Sequence, residues 1–371
     1  MSAAFELEDY ATRVRAATEA KTPLRIRGGG SKDFYGGPLN GEILDMRLCA
    51  GIVAYEPTEL VITARCGTPL AEIEAALAER GQRLAFEPPH FTLPSPPRGG
   101  AGGREEATLG GCVAAGLSGP GRASAGSVRD FVLGVKLLNG RGEVLNFGGQ
   151  VMKNVAGYDV SRLLAGSLGT LGVMLEISLK VLPRPVAEVT LRLEGPQSKA
   201  IELMNRLAGR PLPISATCWC DDLLTLRLSG ARAAVAAACQ QLGGELVEAT
   251  AAAKFWRDLR EQQSAFFAGE QPLWRLSLPS VTPALALPGV QLLEWGGSLR
   301  WLKSGADPAG IRDATGKAGG HATLFRASPE LKLNAGVFQP LQPALLALHR
   351  RLKQSFDPQG IFNPGRMYSE F

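Results

Sequence analysis

The chain has 371 residues, of which 45% are hydrophobic and 20% charged, a length and composition that predict two globular domains. The net charge is +5, but the basic residues are interspersed with acidic ones, so nucleic acid is not expected as a partner. The apolar runs are too short for a transmembrane helix. Glu6, Glu8 and Asp9 stand where a signal peptide would be apolar, which predicts a cytoplasmic protein that begins with an amphipathic helix.

The cysteines and histidines predict no metal site. No C-x-x-C motif occurs, so reduced and mostly buried thiols are favoured over disulfides. Cys218 and Cys220 would share one face of a strand, where two packed thiols are favoured and a metal pair is the alternative. The three histidines, His90, His321 and His349, are far apart in the sequence.

After the first helix, a short strand containing Leu24 and Ile26 leads into the sequence RGGGSK at residues 27–32. Three consecutive glycines allow the backbone N–H groups to converge on a phosphate or pyrophosphate. A flexible hairpin turn is the alternative. The sequence contains neither the P-loop motif nor G-x-G-x-x-G, which disfavours a nucleotide triphosphatase and a nicotinamide Rossmann site.

The next segment predicts a mixed helix and strand unit. Strands are expected at residues 41–45 and 60–65, and a helix is expected with Thr68 as its cap, Pro69 at its first position and Gly81 at its end. Residues 84–86 are expected to form the returning strand. Residues 88–106 are rich in proline, glycine and charge, so a long loop is predicted.

Two further glycine-rich loops follow. In the second loop, at residues 107–130, Gly110, Gly111 and small residues would let the backbone lie against a flat ring or a diphosphate. Asn139 and Gly140 then separate two apolar runs, which predicts a β-hairpin.

The third loop comes within residues 153–183. Asp159 can cap a short helix, a glycine-rich turn follows, and residues 173–181 alternate as a strand with an apolar face. The turn glycines indicate either backbone that a ligand approaches closely or an ordinary junction.

Residues 186–330 change character. Their β-α-β-β-α pattern predicts a ferredoxin-like layer as a second domain. Four tryptophans in this region (Trp256, Trp274, Trp295 and Trp301) could line a pocket, although core packing is favoured for each. A helix at residues 341–356 and a turn with the sequence DPQGIFNPGR close the chain.

The three glycine-rich loops together resemble the FAD-binding domain of the flavoenzyme family that includes vanillyl-alcohol oxidase and p-cresol methylhydroxylase. The third loop, KNVAGYDVSRLLAGSLGTLG, and the closing FDPQGIFNPGRM are similar to the FAD-binding subunits of bacterial glycolate oxidases. The resemblance implies an α+β fold with a p-cresol methylhydroxylase (PCMH)-type FAD-binding domain at residues 1–185. An α+β, ferredoxin-like cap domain at 186–330 and a C-terminal segment at 331–371 that completes the FAD domain would follow.

The resemblance also implies which residues contact the cofactor. The first loop would hold the pyrophosphate, the second would lie near the diphosphate and flavin, and the third would shape the cofactor wall and meet the adenine or ribose. Arg27 is either a phosphate partner or a solvated charge at a strand end. The implied residues are Arg27, Gly28, Gly29, Gly30, Ser31, Lys32, Gly110, Gly111, Gly116, Arg122, Gly126, Lys153, Tyr158, Asp159, Gly169, Gly172 and Val173.

Two departures from the family pattern affect these expectations. Ser31 stands where some members carry the histidine that tethers the flavin, so the FAD is expected to be non-covalent. Related hydroxy-acid dehydrogenases carry metal-binding histidines in the cap, and this chain lacks such a cluster. No base and no carboxylate anchor can be named, so the catalytic residues are left open.

The function implied is that of an FAD-binding subunit in a multi-subunit glycolate dehydrogenase, an oxidoreductase that converts glycolate, a small 2-hydroxy acid, to glyoxylate. Its partners would be a second FAD-binding subunit and an iron–sulfur subunit, in the cytoplasm or at the inner face of the membrane as part of the complex. One alternative is a self-sufficient FAD-dependent oxidase acting on a 2-hydroxy acid or an alcohol. The other is a non-catalytic FAD-binding scaffold.

Overall fold

The computed structural model describes residues 3–91, 106–149 and 159–371, with side chains described from residue 8 onward in the first range. These residues form two large antiparallel sheets, one of five strands and one of eight. Helices and two short strand pairs complete the fold. The predicted α+β class is confirmed.

The N-terminal half contains nine strands and six helices among its described residues. The strands are β1 (Leu24–Arg27), β2 (Glu42–Asp45), β3 (Ile52–Glu56), β4 (Val61–Arg65), β5 (Gln82–Arg83), β6 (Val132–Leu138), β7 (Val144–Gly148), β8 (Val173–Lys180) and β9 (Leu182–Pro183). The helices are α1 (Ala3–Ala20), α2 (Leu70–Glu79), α3 (Leu109–Ala115), α4 (Arg122–Ala125), α5 (Val128–Phe131) and α6 (Val160–Leu163).

Strand β8 is the centre of the five-stranded sheet, whose order is β3-β4-β8-β6-β7. The alternating face predicted from the sequence is buried: Val173, Leu175, Ile177, Leu179 and Val181 are each 0% exposed. These side chains pack in one core cluster with α2. The predicted strand at 173–181 and the hairpin formed by β6 and β7 are confirmed.

The middle of the chain forms the eight-stranded sheet. Its order is β13-β10-β12-β11-β15-β16-β14-β17, with every neighbouring pair antiparallel. The strands are β10 (Ala187–Glu194), β11 (Ile214–Cys220), β12 (Leu223–Gly230), β13 (Glu245–Val247), β14 (Leu273–Ser277), β15 (Val290–Glu294), β16 (Leu299–Lys303) and β17 (His321–Arg326). The helices are α7 (Gln197–Ala208), α8 (Arg232–Leu242), α9 (Ala249–Arg260) and α10 (Pro308–Lys317).

This sheet is two ferredoxin-like layers joined edge to edge. Strands β10 to β13 have the order 4-1-3-2, β14 to β17 have the mirrored order 2-3-1-4, and β11 pairs with β15 at the junction. The sequence predicted only the first layer. The second was missed because no helix separates β14 from β15, which removes the β-α-β signal.

The C-terminal tail returns to the N-terminal half. After α11 (Pro329–Ala335) and α12 (Pro343–Phe356), the tail runs beside β1, where the backbone N–H of Leu24 donates to Ile361 O at 2.7 Å. The backbone N–H of Asn363 donates to Leu24 O at 2.9 Å. The tail therefore pairs with β1.

Two local predictions were wrong. Residues 84–86 are a buried turn, and only Gln82–Arg83 pair as a strand. Thr68 was predicted to cap α2, but the residue at the cap position is Pro69. The Thr68 hydroxyl instead donates to Arg65 O at 2.7 Å. The hydroxyl of Thr68 therefore stabilises the end of β4 and does not cap the helix.

Candidate cofactor-binding site

A cleft crosses the N-terminal half where four segments converge: the loop after β1, the start of α3, the turn before β8 and the C-terminal tail. Leu168 and Asn363 line both ends of this cleft. The following residues predicted from the sequence also line it: Arg27, Gly28, Gly29, Gly30, Ser31, Lys32, Gly110, Gly111, Gly169 and Gly172. Three glycine-rich loops that are far apart in sequence therefore share one surface.

The glycines of the first loop are required by the packing of the chain itself. A Cβ atom on Gly29 would lie 1.7 Å from the carbonyl oxygen of Glu106, and one on Gly28 would lie 2.2 Å from Thr108 Oγ1. The sequence correctly indicated that another group lies close to this backbone. At Gly28 and Gly29 that group is the segment directly before α3 and not a ligand.

Helix α3 presents bare backbone to the cleft. The Thr108 hydroxyl caps the helix by accepting a hydrogen bond from the backbone N–H of Gly111 at 3.3 Å. A Cβ on Gly111 would meet only Thr108 Oγ1, at 3.2 Å. Gly110 is different, because its Cβ would lie 2.8 Å from Cys66 Cβ. Gly111 therefore keeps space in the cleft open.

The tail holds the third loop in place through Asn363. Its amide Nδ2 donates to Leu168 O at 2.7 Å, and its Oδ1 accepts from the backbone N–H of Ile26 at 2.8 Å. Gly169 has φ +72°, and a Cβ there would lie 2.6 Å from Asn363 Nδ2. Only glycine fits both the left-handed backbone and the contact.

Positive charge is concentrated around the first loop. Asp33 is paired with Arg25 at 2.5 Å and with Arg27 at 2.8 Å. Burial lowers the pKa of Lys32 and lowers that of Arg366 to about 10. The Arg366 guanidinium donates to Asp33 O at 2.9 Å, so it supports the loop. Lys32 also lines the cleft. Among the described residues, its ammonium donates to Ser31 Oγ and His90 O and has no carboxylate partner.

Several predicted residues lie outside the cleft. Gly116 ends α3 and packs against Gly166, whose Cα would be 2.8 Å from an added Cβ. Gly126 lies beside the Asp130 side chain, and Val173 is buried in β8.

Two charged candidates have other partners. The Arg122 guanidinium lies 4.5 Å from the centre of the Trp295 ring. Asp159 caps α6, as predicted, by accepting from the backbone N–H of Arg162 at 3.2 Å. Lys153 and Tyr158 lie outside the described residues.

Among the residues of the cleft that the sequence missed are Thr108, Asn363 and Arg366. Thr108 had a usable signal, since a threonine directly before a helix is a common cap. Asn363 and Arg366 were recognisable only as parts of the closing motif, because their role depends on where the tail returns.

The cysteines match the prediction of free thiols. All six are free, and Cys49, Cys66, Cys112 and Cys218 are buried. Burial raises the pKa of Cys112, which is part of α3, to about 12. Across residues 3–91, 106–149 and 159–371, no group of His, Cys, Asp and Glu side chains is arranged to hold a metal ion. No helix in the same ranges combines the length and apolarity needed to cross a membrane.

Comparisons with known proteins agree with this geometry. Residues 4–148 match the model of an FAD binding domain, and residues 337–367 match the C-terminal domain of FAD linked oxidases. The glycolate oxidase subunit GlcE of Escherichia coli is 52% identical over 358 residues, covering 96% of each chain. The glycolate oxidase subunit GlcD of Bacillus subtilis is 29% identical over 47% of this chain and 35% of its own.

The solved structure of p-cresol methylhydroxylase superposes with a TM-score of 0.72 at 14% identity, covering 98% of this chain and 88% of its own. The fold and the converging glycine loops thus define an FAD-dependent oxidoreductase of the FAD-linked oxidase class. Within that class, the chain belongs to the family of the glycolate oxidase subunit GlcE.

The residues of the cleft fit FAD. Any side chain at position 111 would fill the space that Gly111 leaves open in the cleft. Backbone without a side chain can lie directly against a flat ring or a diphosphate, so glycine suits this position. Lys32 supplies a cation at the loop of consecutive glycines, where a pyrophosphate needs one.

Proposed function

We propose that this chain is the FAD-binding subunit of a multi-subunit glycolate dehydrogenase that oxidises glycolate to glyoxylate. The observation that carries the proposal is 52% identity to a glycolate oxidase subunit over 96% of both chains. The second subunit type named among the relatives, GlcD, supports an assembly with another FAD-binding subunit. An iron–sulfur subunit that receives the electrons completes the proposed complex, in the cytoplasm or at the inner face of the membrane.

We assign the cofactor to the cleft. The backbone of residues 28–31, together with Lys32, would hold the pyrophosphate, Gly110 and Gly111 would face the diphosphate and flavin, and Gly169 and Gly172 would face the adenine or ribose. Bound non-covalently, FAD supplies a two-electron acceptor. We propose residues 1–185 and 331–371 as the FAD-binding unit and 186–330 as the cap.

The test is reconstitution. We expect negligible glycolate-dependent dye reduction from the FAD-loaded chain alone, and activity when it is co-expressed with a second flavin subunit and an iron–sulfur subunit. Robust turnover by the pure chain would favour a self-sufficient oxidase. FAD that stays unreduced while the complex turns over would favour a scaffold. Failure to bind either subunit, with no activity in any mixture, would refute the proposal.

A further inference from the structure

A groove, called here the tail groove, lies between α11, the start of α12 and the C-terminal residues of the chain. Its volume is about 490 Å³. Clefts of this size with mainly apolar walls and a few polar groups are typical binding sites. The apolar side chains of the lining include Leu333, Phe338, Leu341, Leu346, Met367 and Tyr368. The tail groove can therefore receive apolar side chains of another molecule.

Leucines in and beside the tail groove are exposed to solvent. Leu333 of α11 is 74% exposed, and Leu345 and Leu348 of α12 are 43% and 53% exposed. Leu345 and Leu348 are three residues apart, so they share one side of the helix. Among the 14 described residues of α12, only Lys353 is buried. Exposed apolar side chains that cluster around a groove are typical of a surface that binds another protein.

One layer of chain separates the tail groove from the cofactor cleft. It consists of residues 37–40 and 365–367. In each segment, the residue that lines the cleft (Leu39 or Arg366) lies between residues that line the groove. The two segments hold each other, because the backbone N–H of Gly37 donates to Arg366 O at 2.8 Å and the Arg366 guanidinium donates to Gly37 O. A molecule in the tail groove therefore lies next to the cofactor site.

The exposed surface of α12 is basic. The helix contains no acidic residue, and its Arg350 and Arg351 are exposed. Within the described residues, neither guanidinium has a carboxylate within 4.0 Å. Lys332, which lines the groove, has no carboxylate partner in the described chain either. Glu370 of the lining accepts a hydrogen bond from the Ser369 hydroxyl at 3.2 Å. A segment that carries acidic residues beyond its apolar part would complement this surface.

We propose that the tail groove binds an amphipathic helix of the iron–sulfur subunit. The apolar side of that helix would pack against the leucines of α11 and α12, and acidic residues at one end would face Arg350 and Arg351. Helices bound in grooves use apolar side chains spaced three and four residues apart. The groove is concave, which favours a helix over a flat membrane surface.

The choice of the iron–sulfur subunit rests on the proposed function. The subunit that receives the electrons must approach the cofactor, and the tail groove adjoins the cofactor cleft. The apolar and acidic character of the bound helix rests on the groove itself.

The experiment measures the affinity of the FAD-loaded chain for the iron–sulfur subunit of the same organism by surface plasmon resonance, with the second flavin subunit in excess. We expect Leu333→Glu and Leu345→Glu each to weaken binding at least about tenfold, which is about 1.4 kcal/mol. Arg351→Glu should also weaken binding, and the affinity of the wild type should fall as the salt concentration rises. FAD content and thermal unfolding should stay unchanged, because these side chains are exposed.

Leu246→Glu and Arg232→Glu are the matched controls. Leu246 is 66% exposed on β13, at one edge of the eight-stranded sheet. Val337 of the tail groove accepts a hydrogen bond from Leu324 of β17, at the other edge. Arg232 is exposed on α8 and does not line the groove. Both variants should bind the iron–sulfur subunit like the wild type.

Wild-type affinity in Leu333→Glu and Leu345→Glu would overturn the inference, and glycolate oxidation by those complexes would leave the proposed function standing. Loss of the second flavin subunit with full retention of the iron–sulfur subunit would also overturn it. Vesicles of phosphatidylcholine and phosphatidylglycerol are a further probe: if the leucine variants lose only vesicle binding, the groove meets a membrane and the inference is wrong. Groove-dependent binding of the iron–sulfur subunit in a complex that does not oxidise glycolate would support the inference and refute the proposed function alone.

Discussion

Lys353 joins two segments of the cofactor cleft from α12. Its ammonium donates to Thr170 O at 2.7 Å, to Phe362 O at 2.8 Å and to Asp357 Oδ2 at 2.7 Å. Thr170 lies between Gly169 and Gly172, and Phe362 precedes Asn363, so the ammonium fixes the third loop to the tail. We expect Lys353→Met to destabilise the protein and weaken FAD binding together.

The magnitude follows from burial. Lys353 and Asp357 are 4% and 1% exposed, so the substitution leaves a buried carboxylate without its cation, which costs about 3–5 kcal/mol. Lys317 is the matched control, because it pairs with Asp313 at the same 2.7 Å and across the same four-residue spacing. That pair is 76% and 61% exposed, so Lys317→Met should cost at most about 1 kcal/mol.

The assay is urea unfolding followed by far-ultraviolet circular dichroism, with and without saturating FAD, together with the FAD dissociation constant of each variant. The difference in unfolding free energy between the two variants is the quantity of interest. Equal small losses in both would show that the buried ion pair does not hold the tail. A large loss in Lys353→Met with unchanged FAD affinity would separate the tail from the cofactor site.

The remaining predictions concern the cofactor and Glu294. Acid precipitation of the purified yellow protein should leave FAD in the supernatant, and flavin in the pellet would contradict non-covalent binding. Gly111→Leu should lose FAD because it fills the cleft, whereas Gly316→Leu, on an exposed helix position where a Cβ meets nothing within 4 Å, should retain it; equal FAD content would place the cofactor elsewhere. Gly169→Val should lose FAD while keeping its secondary structure, because a valine in this left-handed backbone conformation costs about 1–3 kcal/mol. Normal FAD content in this variant would show that the loop is only a turn. The folded pKa of Glu294 is raised by burial, so its protonation stabilises the fold fully below about pH 4.5 and this contribution is lost as the pH rises through about 7. As the pH rises between those values, the free energy of unfolding of Glu294→Gln should increase by up to about 3 kcal/mol relative to that of the wild type. If urea unfolding gives the same difference between the two proteins at every pH, Glu294 does not titrate in this range.

Arg326 and Lys332 are two further cations, and both contact Phe34. The Arg326 guanidinium lies over the rings of Phe34 and Phe91, 4.9 and 5.5 Å from their centres. The Lys332 ammonium donates to Phe34 O. Neither lines the cofactor cleft.

Local features of this protein followed from the sequence alone. The two-residue period from Val173 to Val181 predicted a strand with one buried face, and Asn139 with Gly140 predicted the hairpin. Glycine clusters marked three segments with unusual backbone demands. These features depend on neighbours a few residues apart, which a single sequence displays directly.

Which segments meet was decided by the tertiary structure. Asn363 reaches Ile26 across 337 positions, and a single sequence contains no signal for contacts at that separation. Arg275 on β14 and Glu294 on β15 line one cavity although β16 lies between their strands, an arrangement set by the pairing of the strands. Shifting that register by one residue would turn either side chain to the opposite face of the sheet. The sequence therefore determined the elements and the glycine-rich loops, whereas long-range strand pairing and the return of the tail determined how the cofactor cleft is assembled.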